Sequence, residues 1–149
     1  MRTKKKIMAD NPEKRILHLL NMSSKGTLVE HLDIVYTEVG VDYLVATMPV
    51  TKKVLQPNGL LHGGASVALA ETLGGAASHL FIESDDSEIR GIEISANHLK
   101  SVKSGFVKAT AKLINQGRTL HLWEIRIEDE NDNLVSLCKL TNIVLPKSK

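Results

Sequence analysis

Glu71 is the only ionised side chain in a long apolar run, GGASVALAETLGGAASHLF, that extends from Gly63 to Phe81. A carboxylate in such company costs several kcal/mol unless it is paired or hydrogen-bonded. No Lys or Arg occurs between Lys53 and Arg90, so no partner is close in sequence. A carboxylate held in a partly dry pocket gains proton affinity, which suits a general base. A second feature is His62-Gly63-Gly64, where a loop enters the same run. The first N–H groups of a helix lack intrahelical acceptors and sit at the positive end of its dipole. Glycines let a ligand oxygen approach them, so this is a candidate oxyanion site for a carbonyl that gains negative charge.

The two features are too far apart to act together in one chain. Glu71 follows Gly63 by eight residues, about 12 Å along a helix at 1.5 Å per residue. The expectation is therefore a two-fold dimer with antiparallel helices, in which the glycine end of one copy faces Glu71 of the other. Small residues on the same side of the helix, Val67, Ala68, Gly74, Gly75 and Ser78, would leave room for a substrate.

The elements that must position these groups are legible from periodicity. Asn11 and Pro12 predict an N-cap and first turn for a short helix carrying Ile16, Leu19 and Leu20. Residues 30–39 and 42–50 read as a hairpin around Gly40. Gln56-Pro57-Asn58-Gly59 is turn chemistry inside a loop over 51–62. The apolar run from Gly63 to Phe81 predicts a helix buried all round. Its glycines cost about 1 kcal/mol each relative to Ala, which makes sense where backbone or ligand must come close. Strands follow over 88–101 (Ile92, Ile94, Ala96 and His98 on one face), 105–114 (Val107, Ala109, Ala111 and Leu113 inward), 119–128 (His121, Trp123, Ile125 and Ile127 inward) and 134–145. Short turns at Asn115-Gln116-Gly117 and Asp129 to Asn133 make neighbours antiparallel. The expected class is α+β: an antiparallel sheet of five to six strands curled around one apolar helix.

Composition narrows the function. The 149 residues suit one domain, with residues 1–11 as a disordered basic tail and 12–149 as the folded unit. The formal charge of +2 includes four cations in Arg2, Lys4, Lys5 and Lys6, so the remainder carries −2. A nearly neutral body with only 3% aromatic residues offers little to nucleic acid. One cysteine, Cys138, excludes an intrachain disulfide framework and reads as a packed core thiol. No apolar run reaches the roughly 20 residues of a membrane span, and no signal-peptide core is present, so the expected location is cytoplasmic. His18, His31, His62, His79, His98 and His121 are scattered without metal-ligand spacing, so no metal is expected. Ser66 lies in Gly64-Ala65-Ser66-Val67-Ala68, which lacks the second glycine and preceding strand of a nucleophile elbow.

The stretch from Gln56 through His62-Gly63-Gly64-Ala65-Ser66 to Glu71 resembles the hotdog-fold acyl-CoA thioesterases. The resemblance is to the branch that holds 1,4-dihydroxy-2-naphthoyl-CoA hydrolase, the phenylacetate-pathway thioesterases and a 4-hydroxybenzoyl-CoA thioesterase type. It covers roughly residues 27–145 and includes the run ending at His98 and the Gly117-Arg118 turn. It implies Glu71 as nucleophile or general base and the Gly63 N–H as polariser of the thioester carbonyl. It implies Gln56 and His62 as groups that orient the thioester or leaving thiolate, and Thr72 as a residue that helps hold the nucleophile or water. His98, Lys100 and Ser101 would lie near pantetheine and nucleotide, and Arg118 with Thr119 near the CoA phosphates. Coenzyme A would be part of the substrate, with no separate cofactor. The assembly would be a homodimer with shared sites, paired into a tetramer. Two positions depart from the pattern: Gly75 stands where relatives often carry Ser or Thr, and Lys100 where Arg is common. The alternatives are a hotdog enoyl-CoA hydratase or dehydratase, which needs a His base near the acyl β-carbon, and a non-catalytic acyl-CoA binding module.

Overall fold

The computed structural model describes residues 11–82 and 86–148. The expected tail over 1–11 therefore lies almost wholly outside the described residues. The chain opens with α1 (Pro12–Ser23), capped by the Asn11 side chain, whose Oδ1 accepts from the Lys14 N–H at 3.0 Å. A short α2 (Leu28–His31) follows, then β1 (Val35–Val39), β2 (Tyr43–Pro49), a single 3₁₀ turn at Lys52–Val54, and the long α3 (Gly63–Phe81). Strands β3 (Ser87–His98), β4 (Phe106–Gln116), β5 (Leu120–Glu128) and β6 (Leu134–Pro146) complete it. All six strands join one antiparallel sheet in the order β1-β2-β4-β5-β6-β3. Helix α3 packs against β2, β3, β4, β5 and β6, so the sheet wraps it.

Alternation sets the core. Val107, Ala109 and Ala111 of β4 and Trp123, Ile125 and Ile127 of β5 are fully buried, as their period-two pattern requires. From α3 they meet Leu69, Ala70, Leu73 and Ala77. The Cys138 thiol is buried among them, and burial pushes its pKa up to about 11, so it is an unreactive core group. Helix α1 is clamped to β1 by Asn21, whose amide donates to the Tyr36 carbonyl at 3.0 Å and accepts from the Tyr36 N–H at 2.9 Å.

Four sequence expectations are corrected. The first strand does not start at residue 30: residues 28–31 form α2, Asp33 sits in the left-handed region at φ 55°, and extended pairing begins only at Val35. Local hydrogen bonds there outcompete β propensity, since Glu30 Oε2 accepts from the Gly26 N–H and the Ile34 N–H returns to Val29 O. The third strand ends at His98, because Leu99 and Lys100 both turn their N–H groups to Val135 O. Its face is also broken: a bulge between Gly91 and Glu93 leaves Ile92 55% exposed, apart from Ile94 and Ala96. Finally, α3 is not buried all round. Ser66, Leu69, Ala70, Leu73, Gly74, Ala77 and Ser78 are buried, while Gly64, Glu71 and His79 are exposed. Glu71 is thus not in a dry pocket of its own chain, because the sheet covers only one side of the helix.

Candidate active site

The start of α3 leaves one backbone donor open. His62 is the N-cap, and its Nδ1 accepts from the Gly64 N–H at 2.8 Å. The ring therefore carries its neutral-form proton on Nε2, which leaves that atom free to donate. The Ala65 and Ser66 N–H groups both reach His62 O. Among the described residues the Gly63 N–H donates to none, so it is the one first-turn donor left open. A side chain at Gly63 would place its Cβ 2.7 Å from His98 Nε2, so the absence of a side chain lets the imidazole stand against the helix start. His98 is fixed in turn by a 2.7 Å bond between its Nδ1 and Ser136 Oγ, across the register pair of β3 and β6.

A cavity of about 410 Å³ opens at this point, lined by Gln56, Gly63, Ser66, His98, Lys100 and Ser101 among others. Five of the site residues expected from sequence, Gln56, Gly63, His98, Lys100 and Ser101, therefore meet around one space. The loop that delivers Gln56 is held by its turn: Gly59 lies at φ 79°, its N–H returns to Gln56 O, and the Gln56 N–H reaches Leu60 O. Lys100 is not free there. It pairs with Asp129 at 3.0 Å, and the ammonium, together with the Asn133 and Asn131 N–H groups, holds that carboxyl far below the usual carboxylate range.

Other named residues are not brought there by one chain. Glu71 lies two turns down the helix and does not line the cavity. Its carboxylate makes no ion pair with any described residue. Its Oε1 rests against β3, 2.8 Å from where a Cβ on Gly91 would stand. Thr72 is beside it, half-buried, and Gly75 one turn on has open space where a side chain would project. Arg118 lines a second cavity of about 590 Å³ with Gln116, Gly117 and His121, beyond the far end of α3 at Ile82. Thr119 is exposed on the same turn, its carbonyl accepting from the Val144 N–H. Arg118 and Thr119 thus sit at the opposite end of the helix from His98, Lys100 and Ser101.

Sequence reasoning missed Ser136, Leu60, Leu61 and Val135 around the first cavity. Cross-strand register, which pairs His98 with Ser136, brings in Ser136 and its neighbour Val135, while Leu60 and Leu61 arrive with the loop that carries Gln56. It also missed a buried polar cluster under the second half of α3. Ser78 Oγ accepts from Trp123 Nε1 at 2.7 Å and from Asn142 Nδ2 at 2.7 Å, and lies 3.1 Å from His121 Nδ1. With two protons already received, the Ser78 hydroxyl gives its own to His121 Nδ1, which keeps the ring neutral. Burial lowers the His121 pKa in agreement, the residue being 2% exposed. Among the described residues no three His, Cys, Asp or Glu side chains gather as a metal site, and no helix is long and apolar enough to cross a membrane.

A sheet wrapped on one helix, with a cavity at the helix's glycine-led start, is the hotdog fold, and solved structures of that shape include thioesterases. A thioesterase of Pseudomonas aeruginosa, solved as a mutant, superposes with a TM-score of 0.86 at 40% identity, covering 88% of this chain and 94% of that one. A thioesterase of Haemophilus influenzae superposes with a TM-score of 0.84 at 43% identity, covering 87% and 90%. Residues 58–136 match the profile of the thioesterase superfamily. The chain belongs to that superfamily and is a thioester hydrolase. Its relatives include the proofreading thioesterase EntH of Cronobacter sakazakii, 47% identical over 129 residues (87% of this chain, 93% of that protein). The 1,4-dihydroxy-2-naphthoyl-CoA hydrolase of Escherichia coli is 42% identical over 129 residues, 87% of this chain and 94% of the other.

Proposed function

We propose that this thioesterase hydrolyses an acyl-CoA, with an aromatic or phenylacetyl-like acyl group, to the free acid and coenzyme A. Glu71 is the catalytic carboxylate, and the Gly63 N–H is the oxyanion donor. The observation that carries the reading is the pairing of two open groups on one helix. Gly63 has an N–H without an acceptor, and Glu71 is a carboxylate without a cation, among the described residues. A thiolate leaves readily, so one base and one oxyanion donor suffice.

The separation of about 12 Å along the helix supports a site shared between two copies of the chain. So does the face that carries Glu71: Gly64, Ala68, Gly75 and His79 lie on it, small or open residues that one chain leaves uncovered. Gln56, which lines the cavity, and His62, the N-cap next to Gly63, would orient the thioester, and Thr72 adjoins the carboxylate. His98, Lys100 and Ser101 would meet pantetheine and nucleotide, and Arg118 with Thr119 the CoA phosphates from another copy in a dimer or a dimer of dimers. The naphthoyl ester in the name of the Escherichia coli relative and the side-chain-free space at Gly75 favour a bulky acyl group.

Thiol release measured over a panel of acyl-CoA esters tests this. Wild type is expected to turn over aryl and arylacetyl esters fastest, and Glu71→Gln to lose about 10²–10⁴ in kcat on the best of them. Near-normal turnover by Glu71→Gln overturns the assignment. Equal rates on short aliphatic esters overturn the acyl preference.

A further inference from the structure

We infer that Asn142 is a positioning residue for Glu71: its side-chain oxygen is the acceptor for the Glu71 carboxyl when that group carries a proton. The inference rests on the reading of Glu71 as general base. Asn142 Oδ1 is the one buried side-chain oxygen or nitrogen without a hydrogen-bond partner among the described residues. Its orientation is not open to choice. Nδ2 donates to Gly74 O at 3.1 Å and to Ser78 Oγ at 2.7 Å, and turning the amide over would set its oxygen against the Gly74 carbonyl. The oxygen is thereby aimed toward β3, where Asn142 is the register partner of Gly91.

Gly91 is where the two groups converge. The point that a Cβ on Gly91 would occupy lies 2.8 Å from Glu71 Oε1 and 3.5 Å from Asn142 Oδ1. The missing side chain lets two oxygens share one gap in the sheet edge. Two acceptors without a proton between them have nothing to exchange. A proton on Glu71 supplies the missing donor. In the reaction, water adds through oxygen to the thioester carbon and gives one proton to Glu71. The carboxyl holds that proton against Asn142 Oδ1 while the tetrahedral oxyanion stands. When the C–S bond breaks, the thiolate takes the proton and Glu71 is again a carboxylate. Asn142 touches neither water nor thioester; it acts by accepting the hydrogen bond of the protonated Glu71 carboxyl.

Glutamine at position 71 imitates the protonated carboxyl, because its amide donates a hydrogen bond. A double-mutant cycle on thermal unfolding of the full chain therefore reads the contact without any substrate. Glu71→Gln is expected to raise Tm by about 3 °C, the size of one recovered buried hydrogen bond in a chain of this length. The gain is expected to vanish when the same change is made in Asn142→Leu. Gly91→Ala, at an exposed position, serves as an independent background: its methyl displaces Oε1, and there too the gain should vanish. An equal gain in all three backgrounds, or none in wild type, overturns the inference. In thiol release, Asn142→Leu and Gly91→Ala should each lower kcat about tenfold with KM within twofold, as for an interaction made only in the transition state. Parallel changes in kcat and KM, or none, count against it. Retained activity in Glu71→Gln would refute the catalytic role of Glu71, whereas failure of the cycle with Glu71→Gln inactive would remove Asn142 alone.

Discussion

Glu71 and Ser78 are both polar groups on an apolar helix, and they lie almost on one line along it. Seven residues at 100° each bring the direction back to within about 20°, about 10 Å further on. Their surroundings are opposite. Ser78 is fully buried beneath β5 and β6 and bonded to Trp123, His121 and Asn142. Glu71 rests its Oε1 against the side-chain-free edge of β3 at Gly91 and stays exposed. Helical direction therefore does not decide whether a polar residue on α3 is structural or open for chemistry. What the sheet sets against it does: bonded side chains of β5 and β6 at Ser78, and the bare Gly91 of β3 at Glu71.

Breaking the Glu71 side of this comparison should cost activity and little stability. Loss of about 10²–10⁴ in kcat with Tm held or raised is the largest effect expected from any single change, read by thiol release and calorimetry together. Breaking the Ser78 side should do the reverse. Ser78→Ala leaves Trp123 Nε1 without its acceptor and strips one partner each from Asn142 and His121. Buried donors left unpaired cost about 1–3 kcal/mol each, so a loss near 3 kcal/mol and a Tm lower by about 10 °C are expected. Turnover at a temperature where the variant is folded should change far less.

Gly63→Ala sharpens the picture at the start of the helix. It keeps the open N–H but drives a methyl into His98 Nε2, at 2.7 Å in the unaltered geometry. About tenfold lower kcat/KM with stability changed by under about 1 kcal/mol is expected, and unchanged kinetics would show that His98 does not face the substrate. The smallest effect concerns pH. His121 is buried neutral, so its folded-state pKa lies below the unfolded value of about 6.5. Below that pH the unfolded chain binds the extra proton first, and stability falls as pH drops through this window until the folded form also protonates. Tm is expected to decline modestly from pH 7 to pH 5, and His121→Phe should flatten that part of the profile.

Much of this was legible in residue order. Alternation alone assigns inward and outward positions on β4 and β5. Asn11-Pro12 and Gln56-Pro57-Asn58-Gly59 place a helix start and a turn where they are found. The glycine-led start of α3 and its solitary acid mark the candidate chemistry, because polar groups in apolar runs need a reason. The stretch after Thr27 misled, because β-branched composition cannot register the local bonds that fold α2.

The residues themselves determined the long helix and the six strands, the curled antiparallel class and which side chains are chemically unusual, but not α2 or the ends of β1 and β3, since the former depend on periodicity, caps and turns over a few positions. Tertiary structure alone decided which side of α3 is covered, that His98 leans on Ser136 and Gly63, and that Asn142 stands between Ser78 and Glu71. Such relations join positions from 35 to more than 70 residues apart, through strand register and helix-on-sheet contact. No local pattern carries information across that distance.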